Sequence, residues 1–430
     1  MLKNKKFYPW LVVVLLAVVS LLNYLDRQML ATMRPYMMED IEALRDITNY
    51  GRLMAIFLWV YAFMSPLSGV IADRINRKWL IIFSLAVWSG VTLLMGYTYD
   101  IDTMYVLRGV MGISEAFYIP AALSLVADYH CGPSRSIAVG ALTSGIYLGQ
   151  AIGGFGATIS AHASWQFTFH IFGIIGIVYA VVLALLLHEK ENRPQLTTAV
   201  GSTVPNGARR RAQWIILIRH TAFWVMIFYF AALNLPGWVT KNWMPTMICD
   251  SLGIKMETVG PMWTVTLAMS SFVGVFAGGW ISDRWVKRTL RGRVYTSATG
   301  LGMIIPALLL ILFSGSLVPI LAGGILFGLG FGMYDTNNMP IICQFFPSRS
   351  RATCYGIMNF VGIAAGALIT DILGYALKGG YQNTVFVAMI AAVAISVFLE
   401  IKVLRPVTDD MTDSHQDTES NYGNLELLEQ

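Results

Sequence analysis

Residues 9–22 read PWLVVVLLAVVSLL, an apolar run with no charge in it, and runs of this kind recur along the chain. A bilayer core takes about 20 apolar residues per helix, and a chain that supplies so many such runs folds in lipid. Composition agrees: 13% of residues are charged and 56% hydrophobic, against roughly 25% charged in soluble domains. The mean hydropathy is +0.60. The expected fold is therefore an all-α membrane protein of twelve transmembrane helices. The spans are placed at about 10–34, 49–72, 79–98, 102–128, 134–160 and 165–188, then 215–247, 258–281, 294–313, 319–345, 350–376 and 382–404. The start, MLKNKK followed by apolar residues, resembles a secretory signal. The run continues into Asn23, Asp26 and Arg27 without a small-residue cleavage site, so an uncleaved first span is expected.

The loops carry an orientation. KNKK, DRINRK, PSRSIA, ARRR, DRWVKRTLRGR and PSRSRA fall on one side, whereas MMEDIEALRD, YTYDID and SGS fall on the other. Lys and Arg accumulate on cytoplasmic loops, so both termini are expected inside a cell (inner) membrane. The loops also repeat. GVIADRINRK at 69–78 matches GWISDRWVKR at 279–288, pairing Gly69 with Gly279, Asp73 with Asp283 and Arg74 with Arg284 at an offset of 210. PSRS occurs at 133–136 and again at 347–350, in the same order. Two pseudo-symmetric six-helix halves follow, 1–188 and 214–405, with a cytoplasmic linker at 189–213 and an acidic disordered tail at 406–430. Transporters built from such repeats place their site at the interface of the halves.

Charges inside spans cost about 2.5–3.5 kcal/mol each on insertion scales and are usually functional and inward-facing. Asp26 and Arg27 lie about 12 Å from the outer end of the first span at 1.5 Å per residue. Arg108 lies about 9 Å into the fourth span, with Glu115 about 10 Å deeper. The last two are seven residues apart and share a helix face. Adjacent Asp26 and Arg27 point about 100° apart, so one can meet span four while the other meets a cavity. A static brace of ion pairs is the alternative reading of these four charges. A carboxylate between burial and an arginine is suited to loading and releasing a proton.

The loop Gly-x-x-x-Asp-Arg-x-x-Arg-Lys resembles the signature of the major facilitator superfamily, and the twelve-span plan fits it. More narrowly, LLNYLDRQ, RGVMGISEAFYIPAA and GIMNFVGIAAG look like the anion:cation symporter family of hexuronate, galactonate and sialin-type transporters. Similar pieces occur in spinster-like lipid transporters, which gives the competing reading. The resemblance implies proton coupling through Asp26 and Glu115, with Arg108 pairing with these acids and Arg27 receiving a substrate carboxylate. It also implies a basic-side gate built on Gly69, Asp73, Arg74 and Arg77 and on Gly279, Asp283 and Arg284.

Further polar residues are given two readings. Gln150, among glycines, bonds a hydroxylated ligand or packs as an amide. Asn359 fits the family pattern in span eleven as a ligand contact, and Tyr24 shares the Asp26 region. Asp335, Asn337 and Asn338 before Pro340 form a second polar contact or a hinge. Lys241 gates or snorkels beyond Pro236 and Gly237, which would loosen their helix. His170 titrates or packs. The four cysteines show no CxxC or zinc spacing, and no cofactor is implied. No GxxxxGK[ST], GxSxG or HExxH occurs, so neither ATP-driven pumping by this chain nor enzyme chemistry is expected. The net charge of +5 suggests no nucleic-acid partner. The expected activity is proton-coupled uptake of a small carboxylated solute, a uronate, aldonate or sialic acid, by a monomer; the alternative is lysolipid or sphingolipid transport.

Overall fold

The computed structural model describes residues 7–130, 133–189 and 218–408, apart from the side chains of residues 70, 73, 74, 133, 136, 348, 349 and 352. Most of the expected linker and tail lie outside these residues. The described residues form helices and no strands. Twelve helices are long and apolar enough to cross a membrane, and are numbered here as spans 1 to 12. The first half holds Tyr8–Asp40, Ile47–Gly69, Arg77–Met95, Ile101–Tyr129, Ile137–His162 and Trp165–Leu186. The second holds Thr221–Asn242, Met256–Val286, Gly292–Phe313, Leu317–Phe345, Thr353–Gly379 and Gln382–Val403.

Proline sets the breaks in several spans. Span 4 is interrupted at Phe117 before Tyr118–Tyr129, and span 10 before Asn338–Phe345. A short helix, Met244–Leu252, restarts after Trp243 at the end of span 7. Pro120, Pro245 and Pro340 each fall within the first three residues of the new helix. A missing N–H costs nothing there, whereas inside a helix it removes a bond. Contrary to expectation, the helix runs through Pro236, and the break comes at Trp243 instead. Span 5 packs on span 1 through small residues. A Cβ on Gly149 would lie 2.2 Å from the Leu21 carbonyl oxygen, so only glycine permits this approach.

Hydrogen bonds between described residues of the two halves gather towards the acidic end. Lys378 Nζ donates to Asp46 at 2.6 Å, and Arg52 Nη2 to the Tyr375 hydroxyl at 2.6 Å. Thr158 Oγ1 donates to the Glu257 carbonyl at 3.0 Å, and Thr264 Oγ1 to the Ala151 carbonyl at 3.1 Å. Gln28 Nε2 reaches the Lys241 carbonyl at 2.8 Å. Nearer mid-depth, Asn359 Nδ2 donates to Ser65 Oγ at 3.2 Å. At the basic end, Arg77 pairs with Asp128 of its own half, and Asp283 and Arg284 are exposed. The Asp73 and Arg74 side chains, expected in the gate, lie outside the described residues. The backbone of Gly69 and Gly279 is helical, as in the repeat.

Asp46 also caps span 2, accepting from the Thr48 N–H at 3.0 Å and its hydroxyl at 2.8 Å. The Lys378 hydrogen bond, with those from Thr48, lowers the carboxyl from 3.8 to about 2. A depressed carboxyl stabilises above its ordinary value and loses that contribution as pH falls through the folded one. The clasp therefore stays charged throughout the physiological range. Asp46→Asn is expected to loosen the acidic end and change the transport rate, while its pH–rate profile between about pH 5 and 8 stays parallel to that of the unaltered protein. A displaced profile would contradict this.

Candidate functional site

Span 1 carries Asn23, Tyr24, Asp26, Arg27 and Gln28 in its apolar length. Each residue turns about 100° from the last, so consecutive side chains meet different neighbours. Asp26 meets span 3, where Thr92 Oγ1 donates to its Oδ2 at 3.1 Å. Arg27 meets span 4. Gln28 meets span 7 through the Lys241 carbonyl. One helical turn thus ties together three other spans.

Arg27 grips Glu115 tightly. Its Nε and Nη2 both lie 2.7 Å from Oε2 of a wholly buried carboxylate. The guanidinium carbon sits 4.8, 4.7 and 4.8 Å from the ring centres of Tyr24, Phe57 and Tyr61. Such contacts contribute about 0.5–2 kcal/mol each as water is excluded. Among the described residues, Oε1 of Glu115 and the buried amide of Asn23 meet no partner with full hydrogen-bond geometry, although the two side chains are neighbours.

Arg108 is placed differently from expectation. Its Nε donates to the Leu53 carbonyl at 3.4 Å and its Nη1 approaches Met111 Sδ at 3.0 Å. Its guanidinium carbon lies 4.5 Å from the Phe57 ring centre, so that ring contacts both arginines. The direct contact with the carboxylate is made by Arg27, while Arg108 acts on Glu115 and Asp26 by charge at longer range. The reason is reach: residues seven apart share a face but are separated by about 10 Å along the axis, and Arg27 approaches from the side.

Arg27, Met54, Phe57, Leu58 and Arg108 of the first half, with Trp238 and Asn242 of the second, line one small opening with a volume of about 10 Å³. Lys241 overlooks it, with Nζ 5.4 Å from the Trp238 ring centre and 4.7 Å from that of Phe331. Asp335 lies in the interior and is nonetheless exposed, so it borders internal solvent. It accepts from Asn338 Nδ2 at 3.4 Å and is close enough to Lys241 for their charges to interact. Tyr147 and Tyr355 approach both Asp335 and Tyr24. Tyr61, Tyr147 and Tyr355 were not singled out on sequence, where aromatic residues in spans carry no distinguishing signal.

Gln150 is buried and makes no side-chain hydrogen bond among the described residues. Asn359 is committed to Ser65 across the halves. Asn337 donates to the Met333 carbonyl at 2.8 Å in its own helix. His170 packs on Tyr97 with ring centres 4.1 Å apart.

Residues 16–370 match the family model of the Major Facilitator Superfamily. The chain belongs to this superfamily. As a major facilitator it is a multi-pass membrane transporter and not an enzyme. It is 26% identical over 405 residues to the hexuronate transporter of Bacillus subtilis (strain 168), covering 92% of this chain and 93% of that one. It is 24% identical over 411 residues to the D-galactonate transporter of Escherichia coli O6:H1, covering 90% and 93%. A solved bacterial homolog of the human lysosomal transporter spinster, inward-facing and occupied, aligns with a TM-score of 0.75 at 19% identity. That alignment covers 96% of this chain and 100% of the homolog, and it shows the shared fold.

Proposed function

We propose that this major facilitator is a proton-coupled symporter that takes up a small organic anion, with a sugar acid as its solute. The observation that carries the reading is the Arg27–Glu115 pair at the opening between the halves. A solute carboxylate and Glu115 compete for one guanidinium. When the solute takes Arg27, Glu115 loses its counter-charge and accepts a proton; when the solute leaves, Arg27 recovers Glu115 and the proton departs. Asp26, held by Thr92, feels the charge of Glu115 and serves as the second acid of the relay. Arg108 balances both acids from the far side of Phe57. Sugar-acid transport by the two relatives supports the choice of solute.

Orientation and motion belong to the same proposal. With the basic loops in the cytoplasm, the clasped acidic end faces out, and this conformation exposes the site inward. Residues 1–188 and 214–405 rock about the site, with the repeated Asp-Arg loops closing the inner side in the other state. Gln150 and Asn359 offer amides to solute hydroxyls, which requires Asn359 to leave Ser65.

The test is competition against uptake in proteoliposomes by D-glucuronate, D-glucose and a lysophospholipid. A neutral sugar offers nothing to displace Glu115 from Arg27 and so forgoes a buried ionic contact of about 2–5 kcal/mol, of which 3 kcal/mol is about a hundredfold in affinity. The uronate is expected to outcompete the neutral sugar by about that factor. A lysophospholipid driven by about 0.8 kcal/mol per buried CH₂ is expected to be inert. Competition by the lysolipid alone would replace this reading with spinster-like transport.

A further inference from the structure

Lys241 is the cation beside the central opening, against its Trp238 wall, that the coupling scheme leaves unused. It lies one residue from the end of its helix, at the break that precedes the helix Met244–Leu252. Its carbonyl accepts from Gln28, 12 residues inside span 1, so it sits well below the acidic end. Its ammonium rests against Phe331, which is 14 residues into span 10 from the acidic end, a depth of about 20 Å. It also lies over Trp238, one turn earlier on its own helix and part of the wall shared with Arg27 and Arg108.

This inward cation makes no ion pair among the described residues. Its carboxylate neighbour, Asp335, attracts it from beyond contact distance. Two aromatic rings offset only part of the cost of holding a charge deep in a span. Its place relative to Arg27 is fixed, because its own carbonyl accepts from Gln28, the residue next to Arg27. The opening is lined by Arg27 and Arg108 of the first half, and Lys241 of the second half stands behind its Trp238 wall. Arg27 and Lys241 each have an internal carboxylate that a solute carboxylate can replace: Glu115 for Arg27, and Asp335 for Lys241.

We propose that Lys241 receives a second anionic group, so that the cavity selects a sugar diacid over the corresponding monoacid. This rests on the symporter reading and narrows it from organic anions to dianions. Arg27 takes one terminal carboxylate from the first half, and Lys241 takes the other from the second. A bound diacid thus bridges the halves by ionic contacts, which a monoacid does not.

A matched six-carbon series tests this: D-glucose, D-glucuronate and D-glucarate carry zero, one and two carboxylates on one skeleton. Each is assayed as a competitor of uptake in proteoliposomes. The unaltered protein is expected to prefer glucarate to glucuronate by about tenfold or more. In Lys241→Gln that ratio is expected to fall to near one, because the diacid loses more than the monoacid. Lys241→Arg, which keeps the charge, is expected to preserve it. The ratio in the unaltered protein decides the question even where a variant fails to fold. A ratio at or below one, or a ratio unmoved by Lys241→Gln, overturns the assignment and leaves the symporter reading standing. Failure of both acids to compete overturns both.

Discussion

Glu115→Gln is expected to abolish accumulation of the solute against its gradient while exchange of solute for solute continues. The substitution keeps the shape of the side chain and removes the group that carries the proton. The structure adds a second consequence. Glu115 is the internal competitor for Arg27, held by two contacts of 2.7 Å. Replacing it with a neutral amide leaves the guanidinium without its anion, a loss of about 3–5 kcal/mol when nothing fills the vacancy. A solute carboxylate fills it. Binding is therefore expected to tighten by about tenfold or more and to lose its dependence on pH. Uphill uptake in proteoliposomes with an imposed pH gradient measures the first effect, and solute-induced thermal stabilisation at two pH values measures the second. Accumulation at the unaltered rate would remove Glu115 from the coupling scheme.

Arg27→Lys is expected to weaken solute binding by about thirtyfold or more, since disrupting a buried hydrogen-bonded charge pair costs about 2–5 kcal/mol. An ammonium keeps the charge but loses the planar fork. Arg27 uses that shape twice: Nε and Nη2 hold Glu115, and the flat face lies among Tyr24, Phe57 and Tyr61. A lysine in this cage gives up the second nitrogen and the stacking together. The check is the solute's apparent affinity in counterflow for the variant. An affinity within twofold of the unaltered protein would move the anion receptor off Arg27, and Lys241 would be its first replacement.

The spans were legible in the sequence because insertion into lipid is decided locally, by the apolar character of about 20 residues at a time. Repetition of the Asp-Arg loops points to two halves by the same local logic. The polar face of span 1 was legible as well, since charges in a span stand out against their surroundings. The partners were not. Spacing along one helix puts Arg108 and Glu115 on a shared face, and the resemblance pairs Arg108 with the acids, but contact depends on how span 1 is rotated against span 4. The Gly149 contact with Leu21, which brings span 5 onto span 1, is a property of two helices and appears in neither alone. Tyr61, Tyr147 and Tyr355 were missed for a related reason. A tyrosine at a membrane surface and one at a central cavity read alike until the fold separates them. Lys241 shows the limit most plainly, because gating and snorkelling are equally consistent with its position in the chain. The direction of its side chain, towards Phe331, decides against snorkelling.

The bonds that join the halves towards the acidic end are spread over Asp46, Arg52, Thr158, Thr264 and Gln28, and three of them end on backbone carbonyls. A single intramolecular hydrogen bond contributes about 0.5–1.5 kcal/mol net of the water it replaces. Parting the halves can then proceed bond by bond, with water satisfying each group as it is freed. In the proposed rocking of the halves, losing any one bond is therefore expected to shift the populations of the two states by roughly two- to tenfold. A solute bound between the halves needs only a modest difference in affinity for the two states to choose which one predominates.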